Sequence, residues 1–306
     1  VSDAAGNAAE SVSRTVVVVK TTVVQTLDLK AGWNLISFYV ESEDMTPATV
    51  LESVKDKLVQ IKDLKDSYNP TLPAFINTLK GLNVEDGYWV KMDADASFEL
   101  EGVVPEGASI PVRSGWNLVG YPRESGAAPA DELTSLGDIV LQFKNLKDSY
   151  NPTLPAFINT LKIITPGLGY WLKVSEDGVW NVGDVSGEGG NRDIVKMASL
   201  DESRWGSVVV YPKVSATVLA QVTVEGKAVS SGSAVGVFVG DELRGQHEVV
   251  LADANSYVAL NVNLTKAEKV SFRIWDAGHN KDYPVVKTMT LEMGETYGTA
   301  ERSEER

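Results

Sequence analysis

The chain has 306 residues, 43% hydrophobic and 23% charged, a size and make-up that predict two or three compact units, each with a core of its own. A net charge of -14 with no basic run argues against nucleic-acid and anionic-membrane binding, because both depend on clustered Lys and Arg. Cysteine is absent, which excludes disulfides, thiolate chemistry and cysteine-based zinc sites. No apolar run reaches the roughly 18 residues a spanning helix needs.

The first stretch, "VSDAAGNAAESVSRTVVVV", has turn chemistry at Ala5 to Asn7 and then a β-branched run ending in four valines. This predicts a hairpin or linker strand over residues 1–24. It resembles the closing hairpin of bacterial Ig-like repeats. Two strands alone are marginal in water, so this pair is expected to join an adjacent module, a neighbouring molecule or an upstream domain. Residue 1 is Val and no charged-then-apolar leader follows, which reads as a piece of a longer chain.

From about Thr26 a repeat of 82 to 83 residues begins. "AGWNLISFYV" from Ala31 matches "SGWNLVGYP" from Ser114, and "DGYWVKM" from Asp86 matches "LGYWLKV" from Leu168. Between them Thr46-Pro47 reads as an N-cap followed by a proline at the first helical position, with Pro129 at the equivalent place. Each unit, 25–107 and 108–184, is therefore expected to run strand, strand, short helix, strand, long loop with a helical turn, strand, strand. The pair resembles the GWN-type modules of secreted bacterial multidomain proteins. That resemblance implies an accessory, non-catalytic β-rich module outside the cell.

A Gly-rich acidic linker is expected over 185–204. After it, "SATVLAQVTVEGK" from Ser215 alternates like a half-buried strand, and four further apolar runs at regular spacing predict an antiparallel β-sandwich over 205–300, Ig-like or jelly-roll-like. "VGVFVGDELRG" with "FRIWDA" resembles a β-sandwich module of secreted bacterial proteins. Residues 301–306, "ERSEER", read as a charged tail. The expected fold is mainly β: two small modules with one short helix each, then a sandwich.

One stretch invites a functional question. "LKDSYNPTLPAFINTLK" stands at 64–80 and returns unchanged at 146–162, although its flanks have drifted. Recent conversion of a short tract could leave such an identity, and so could a local constraint. As packing, Leu72, Pro73, Phe75, Ile76 and Leu79 have the spacing of an apolar helical face and would plug a core. As a site, Asp66, Ser67, Tyr68 and Asn69, with Asp148, Ser149, Tyr150 and Asn151, place a carboxylate, a hydroxyl, a ring and an amide on a turn, the chemistry that stacks and hydrogen-bonds sugars. Two copies would give avidity.

Trp33, Trp89, Trp116 and Trp171 are expected to fill module cores, and Trp180 to lie nearer the surface. Calcium is the one cofactor with any candidate ligands. Asp93 and Asp95, Glu176 and Asp177, and Asp241 with Glu242 offer hard oxygens, but none has calcium-loop spacing, so solvated turn acids are expected and no cofactor is assigned. Arg244 is expected to fix its own turn through an ion pair. His247 and His279 have no serine, cysteine or HExxH-type setting, so no enzyme is expected. The expected role is a structural or adhesive segment of a bacterial extracellular or cell-surface protein. Its expected partners are other domains of the same polypeptide or neighbouring subunits, with glycans as a further candidate and no nucleic acid or membrane insertion. The alternatives are a carbohydrate-binding accessory region of a secreted hydrolase, and a filament subunit joined by strand addition through the N-terminal strand.

Overall fold

The computed structural model describes residues 21–183 and 204–298. Most of the opening hairpin expected over 1–24, nearly all of the 185–204 linker and the 301–306 tail lie outside the described residues. With 47% strand and 7% helix the protein is mainly β, so sheets build most of each core, and the short helical segments add Val50 and Val54 to the first and Leu133 and Leu136 to the second.

In the first repeat β1 (Val23–Leu29) and β2 (Gly32–Ile36) lead to α1 (Pro47–Val50). Then come β3 (Leu58–Lys62), β4 (Ser67–Tyr68), β5 (Tyr88–Met92) and β6 (Ala96–Gly102). First and last strands close the unit as an antiparallel ribbon, and the others form a sheet in the order β2-β5-β3-β4. The second repeat copies this plan with β7 (Ala108–Val112), β8 (Gly115–Val119), α2 (Pro129–Glu132) and β9 (Val140–Lys144). It continues with β10 (Ser149–Tyr150), β11 (Tyr170–Val174) and β12 (Gly178–Val182), and its sheet runs β8-β11-β9-β10. Proline starts both helices, as its fixed φ favours. The Thr46 hydroxyl does not cap, however; it meets Thr49, while Asp44 accepts the Thr46 N–H at 2.8 Å.

Strand period decides where the tryptophans go. Along β5, Tyr88, Val90 and Met92 point into the first core while Trp89 and Lys91 point the other way. Trp33, Trp89, Trp116 and Trp171 therefore do not fill the module cores. They form a separate cluster on the outer sheet faces with Leu35, Leu118, Val210 and Val214. Trp180, expected near the surface, is fully buried in the second core, stacked on Tyr121 and donating its indole N–H to the Glu132 carbonyl at 2.8 Å.

The two repeats join edge to edge with approximate two-fold reciprocity. Ile36 bridges to Leu168, and Asp86 to Val119. Backbone bonds reinforce both bridges, Ser37 N–H to Gly167 O at 2.9 Å and Gly120 N–H to Glu85 O at 2.7 Å.

The last domain carries β13 (Ala216–Gln221), the small hairpin β14 (Thr223–Val224) and β15 (Lys227–Ala228), β16 (Ala234–Val239) and β17 (Glu242–Glu248). It ends with β18 (Val250–Ala252), β19 (Asn255–Val262), β20 (Glu268–Asp276), β21 (Lys281–Leu291) and β22 (Thr296–Tyr297). Two four-stranded sheets, β18-β19-β13-β22 and β17-β16-β20-β21, enclose a core that includes Val218, Val237, Val258, Leu260, Val262 and Leu291. All pairings are antiparallel except the short β13–β22 contact. β13 was expected to be half-buried, but its first four residues are buried on both faces, because Thr217 and Leu219 turn outward and are covered by the second repeat.

Candidate functional site

The repeated block is a loop that braces itself. Asp63 Oδ1 accepts the backbone N–H groups of Lys65 and Asp66, and Asn145 does the same for Lys147 and Asp148. The chain then pairs for two residues, Tyr68 opposite Ile61 and Tyr150 opposite Phe143. Asn69 Oδ1 accepts from the N–H and hydroxyl of Thr71, and Asn77 spans the loop, accepting the Asn69 N–H at 2.9 Å and donating to the Asn69 carbonyl at 3.1 Å. Asn151, Thr153 and Asn159 repeat this pattern. No helix forms. Two single turns close at Leu72 and Ile76, with Pro73 between them.

This geometry corrects the plug. Leu79 is buried in the first core, but Leu72 is 43% exposed, Ile76 47% and Phe75 84%. In the second copy Ile158 and Leu161 are buried and Phe157 is half-buried. The difference is the sandwich. Leu154, Phe157 and Ile158 lie on its outer face against Leu219, Ala259 and Tyr257, with the Phe157 and Tyr257 rings 5.4 Å apart.

Polar contacts frame this apolar seat. Gln142 donates to Thr217 Oγ1 at 2.9 Å, Lys144 donates to the Ser215 carbonyl and to Thr217 Oγ1, and Asn261 donates to the Asn145 and Asp148 carbonyls. Asp148 Oδ1 lies 3.1 Å from His247 Nε2. Trp116 donates its indole N–H to Gly294 O at 3.2 Å, and the Lys144 ammonium sits 4.5 Å from the Trp116 ring centre. Burial pushes Lys144 well below the usual lysine range, reinforced by Lys173 and opposed by Glu295.

The candidate sugar-binding residues are therefore placed as follows. Tyr68 and Tyr150 are half-buried, each packed against its own core. Burial, with Asp131 nearby, raises Tyr150 above the ordinary tyrosine value. Asn69 and Asn151 have their side-chain oxygens engaged within the loop, and Asp148 faces His247 rather than open solvent. The structure brings Asp66, Tyr68 and Asn69 together on one loop and the second trio on another, and among the described residues it is the second loop that another domain covers.

The candidate calcium ligands are not gathered. Asp95 pairs with Lys30 at 2.8 Å and accepts the Ala31 N–H, contacts that hold its carboxyl below the usual range. Asp93 does not converge with it on a shared centre, and no group of three acidic or His side chains suited to a metal occurs among the described residues. Asp241 is exposed, while Glu242 binds Arg244 at 2.8 Å. The turn ion pair expected for Arg244 is present, and sequence reasoning missed its second half: the buried guanidinium also reaches Glu268 at 3.1 Å, 24 residues away. Burial works against the Glu268 charge, but the Thr265 N–H and Arg244 outweigh it and hold the carboxyl below its usual value.

Sequence reasoning also passed over Gln142 and Lys144. Their signal was present, since two polar residues alternate with apolar ones along β9, but nothing in the sequence says that another domain covers that face. No family model, curated protein or solved structure matches this chain.

Proposed function

We propose that the chain is a non-catalytic segment of a bacterial extracellular or cell-surface protein, a spacer built from GWN-type repeats and a sandwich, in which the repeated block is a docking element. The observation that carries this reading is the seating of Leu154, Phe157 and Ile158 on the outer face of β13 and β19, framed by Gln142, Lys144 and Asp148. Full burial of an apolar side chain of this size contributes roughly 1.5 to 3 kcal/mol, which Ile158 realises and the half-buried Leu154 and Phe157 realise in part. A contact of that kind turns beads on a string into one stiff piece. The outward tryptophans support it too, because they cement repeat to repeat and repeat to the irregular segment around Val210 and Val214 that leads into the sandwich.

The test is solution scattering on the intact chain. Replacing Phe157→Asp and Ile158→Asp is expected to free the sandwich and increase the radius of gyration, while Phe75→Asp with Ile76→Asp leaves the profile unchanged. An unchanged profile in the first variant would contradict the docking role. Turnover of a polysaccharide by the wild type would contradict the non-catalytic role.

A further inference from the structure

The docking contacts of the second repeat can be checked against the first, position by position. Gln142, Lys144, Asp148, Leu154, Phe157 and Ile158 are matched by Gln60, Lys62, Asp66, Leu72, Phe75 and Ile76, the same residue each time. The side chains that hold the sandwich are therefore present twice, and one set is used. In the unused set Phe75, Leu72 and Ile76 are exposed on a loop already held rigid by Asn69 and Asn77.

A large exposed aromatic flanked by two exposed aliphatics is the make-up of an interaction surface. Here the chain itself shows what such a loop fits. We propose that the first copy is a vacant seat for a second β-sandwich, one whose outer strand pair presents the chemistry of β13 and β19. That chemistry is an aliphatic centre like Leu219 and Ala259, a ring like Tyr257 against Phe75, and a nitrogen donor like His247 opposite Asp66. The proposal rests on the docking role given to the block above.

The chain's own sandwich cannot fill both seats, since Thr217, Leu219, Ala259 and Asn261 are already covered by the second repeat. The occupant is therefore a sandwich from another chain or another module. Nor is the whole framework of the first seat open. Lys62 stands beside Pro212 and Lys213 at a small cavity, and burial together with Lys213 lowers its pKa. The free part is the Leu72, Phe75 and Ile76 face with Asp66 at its rim.

The experiment supplies a free sandwich on the intact chain. A donor variant carries Asp at Phe75, Ile76, Phe157 and Ile158, so that its sandwich is released and neither of its own blocks can hold it. The acceptor is the wild type, with its sandwich occupied and its first seat open. Light scattering on the mixture is expected to show a 1:1 complex, and an acceptor with only Phe75→Asp and Ile76→Asp is expected to bind at least tenfold more weakly. Scattering on the donor alone separates the two ways of failing. A released sandwich that no acceptor binds overturns the vacant seat and leaves the docking role standing, whereas a sandwich that is never released overturns the docking role itself. Self-association of the wild type that needs Phe75 would also overturn the proposal, because the occupant would then be a different surface. If the fourfold Asp donor loses its near-ultraviolet dichroism, a donor with Ala at Phe157 and Ile158 and Asp at Phe75 and Ile76 is used, with the same outcomes.

Discussion

Lys62 and Lys144 hold the same place in their repeats and differ in what covers them. Lys62 is half-buried beside Trp33, whereas Lys144 has no exposed surface and donates to Ser215 and Thr217 across the domain contact. Burial lowers both pKa values below 10.5, and Lys144 falls further. The sign for stability follows from proton counting. Between the lowered folded value of Lys144 and 10.5 the unfolded chain binds the extra proton, so stability rises with pH across that window. Urea midpoints measured from pH 7 to 9.5 are expected to climb in the wild type relative to Lys144→Gln, with a weaker effect for Lys62→Gln. Parallel curves for wild type and Lys144→Gln would show that Lys144 is not desolvated by the sandwich.

At the scale of elements, the edge-to-edge joint between repeats is a close backbone contact that leaves no room for side chains at two glycines. A Cβ at Gly169 would stand 2.6 Å from the Ile36 carbonyl, and one at Gly120 would run into the Val84 carbonyl. Gly120→Ala or Gly169→Ala is therefore expected to cost about 1 to 3 kcal/mol in thermal or urea unfolding, the scale of overpacking. Gly81→Ala, with open space around it, is expected to be neutral. Neutrality at Gly120 would mean the joint is loose.

Much at this level was legible beforehand. Alternation and turn residues located β13, β16, β19, β20 and β21, and the 82- to 83-residue period matched the longer strands and the short helix of one unit to those of the other, because local periodicity is written residue by residue. What was not legible depends on contacts far apart in the chain. The two-residue strands β4 and β10 exist only because Tyr68 and Tyr150 find Ile61 and Phe143. Leu72, Phe75 and Ile76 have helical spacing, but Pro73 and the Asn69–Asn77 brace hold the segment in separate turns. The outward face of β13 looked solvated because its cover, the second block, lies more than 50 residues away in sequence.

At the scale of the whole molecule, the sequence predicts compact units, each with a core of its own. The cores are indeed separate, one for each repeat and one for the sandwich. Yet the blocks are not independent, since the tryptophan cluster and the second copy of the block tie them together. The identity of the two copies now has a physical partner at one end: one of them is held in place by a sandwich whose shape and polar frame tolerate little change. The central claim is that one sequence sits in two environments, covered in the second repeat and open in the first.

The chain has no cysteine, so single thiols report on each copy without interference. Ile76→Cys and Ile158→Cys carry identical neighbours for twelve residues before and four after the thiol, which gives the two thiols the same intrinsic reactivity in the unfolded chain. Labelling with a maleimide under native conditions is expected to be fast at Ile76→Cys, where the side chain is 47% exposed, and at least tenfold slower at Ile158→Cys, where it is 1% exposed. Equal rates at the two positions would contradict the account.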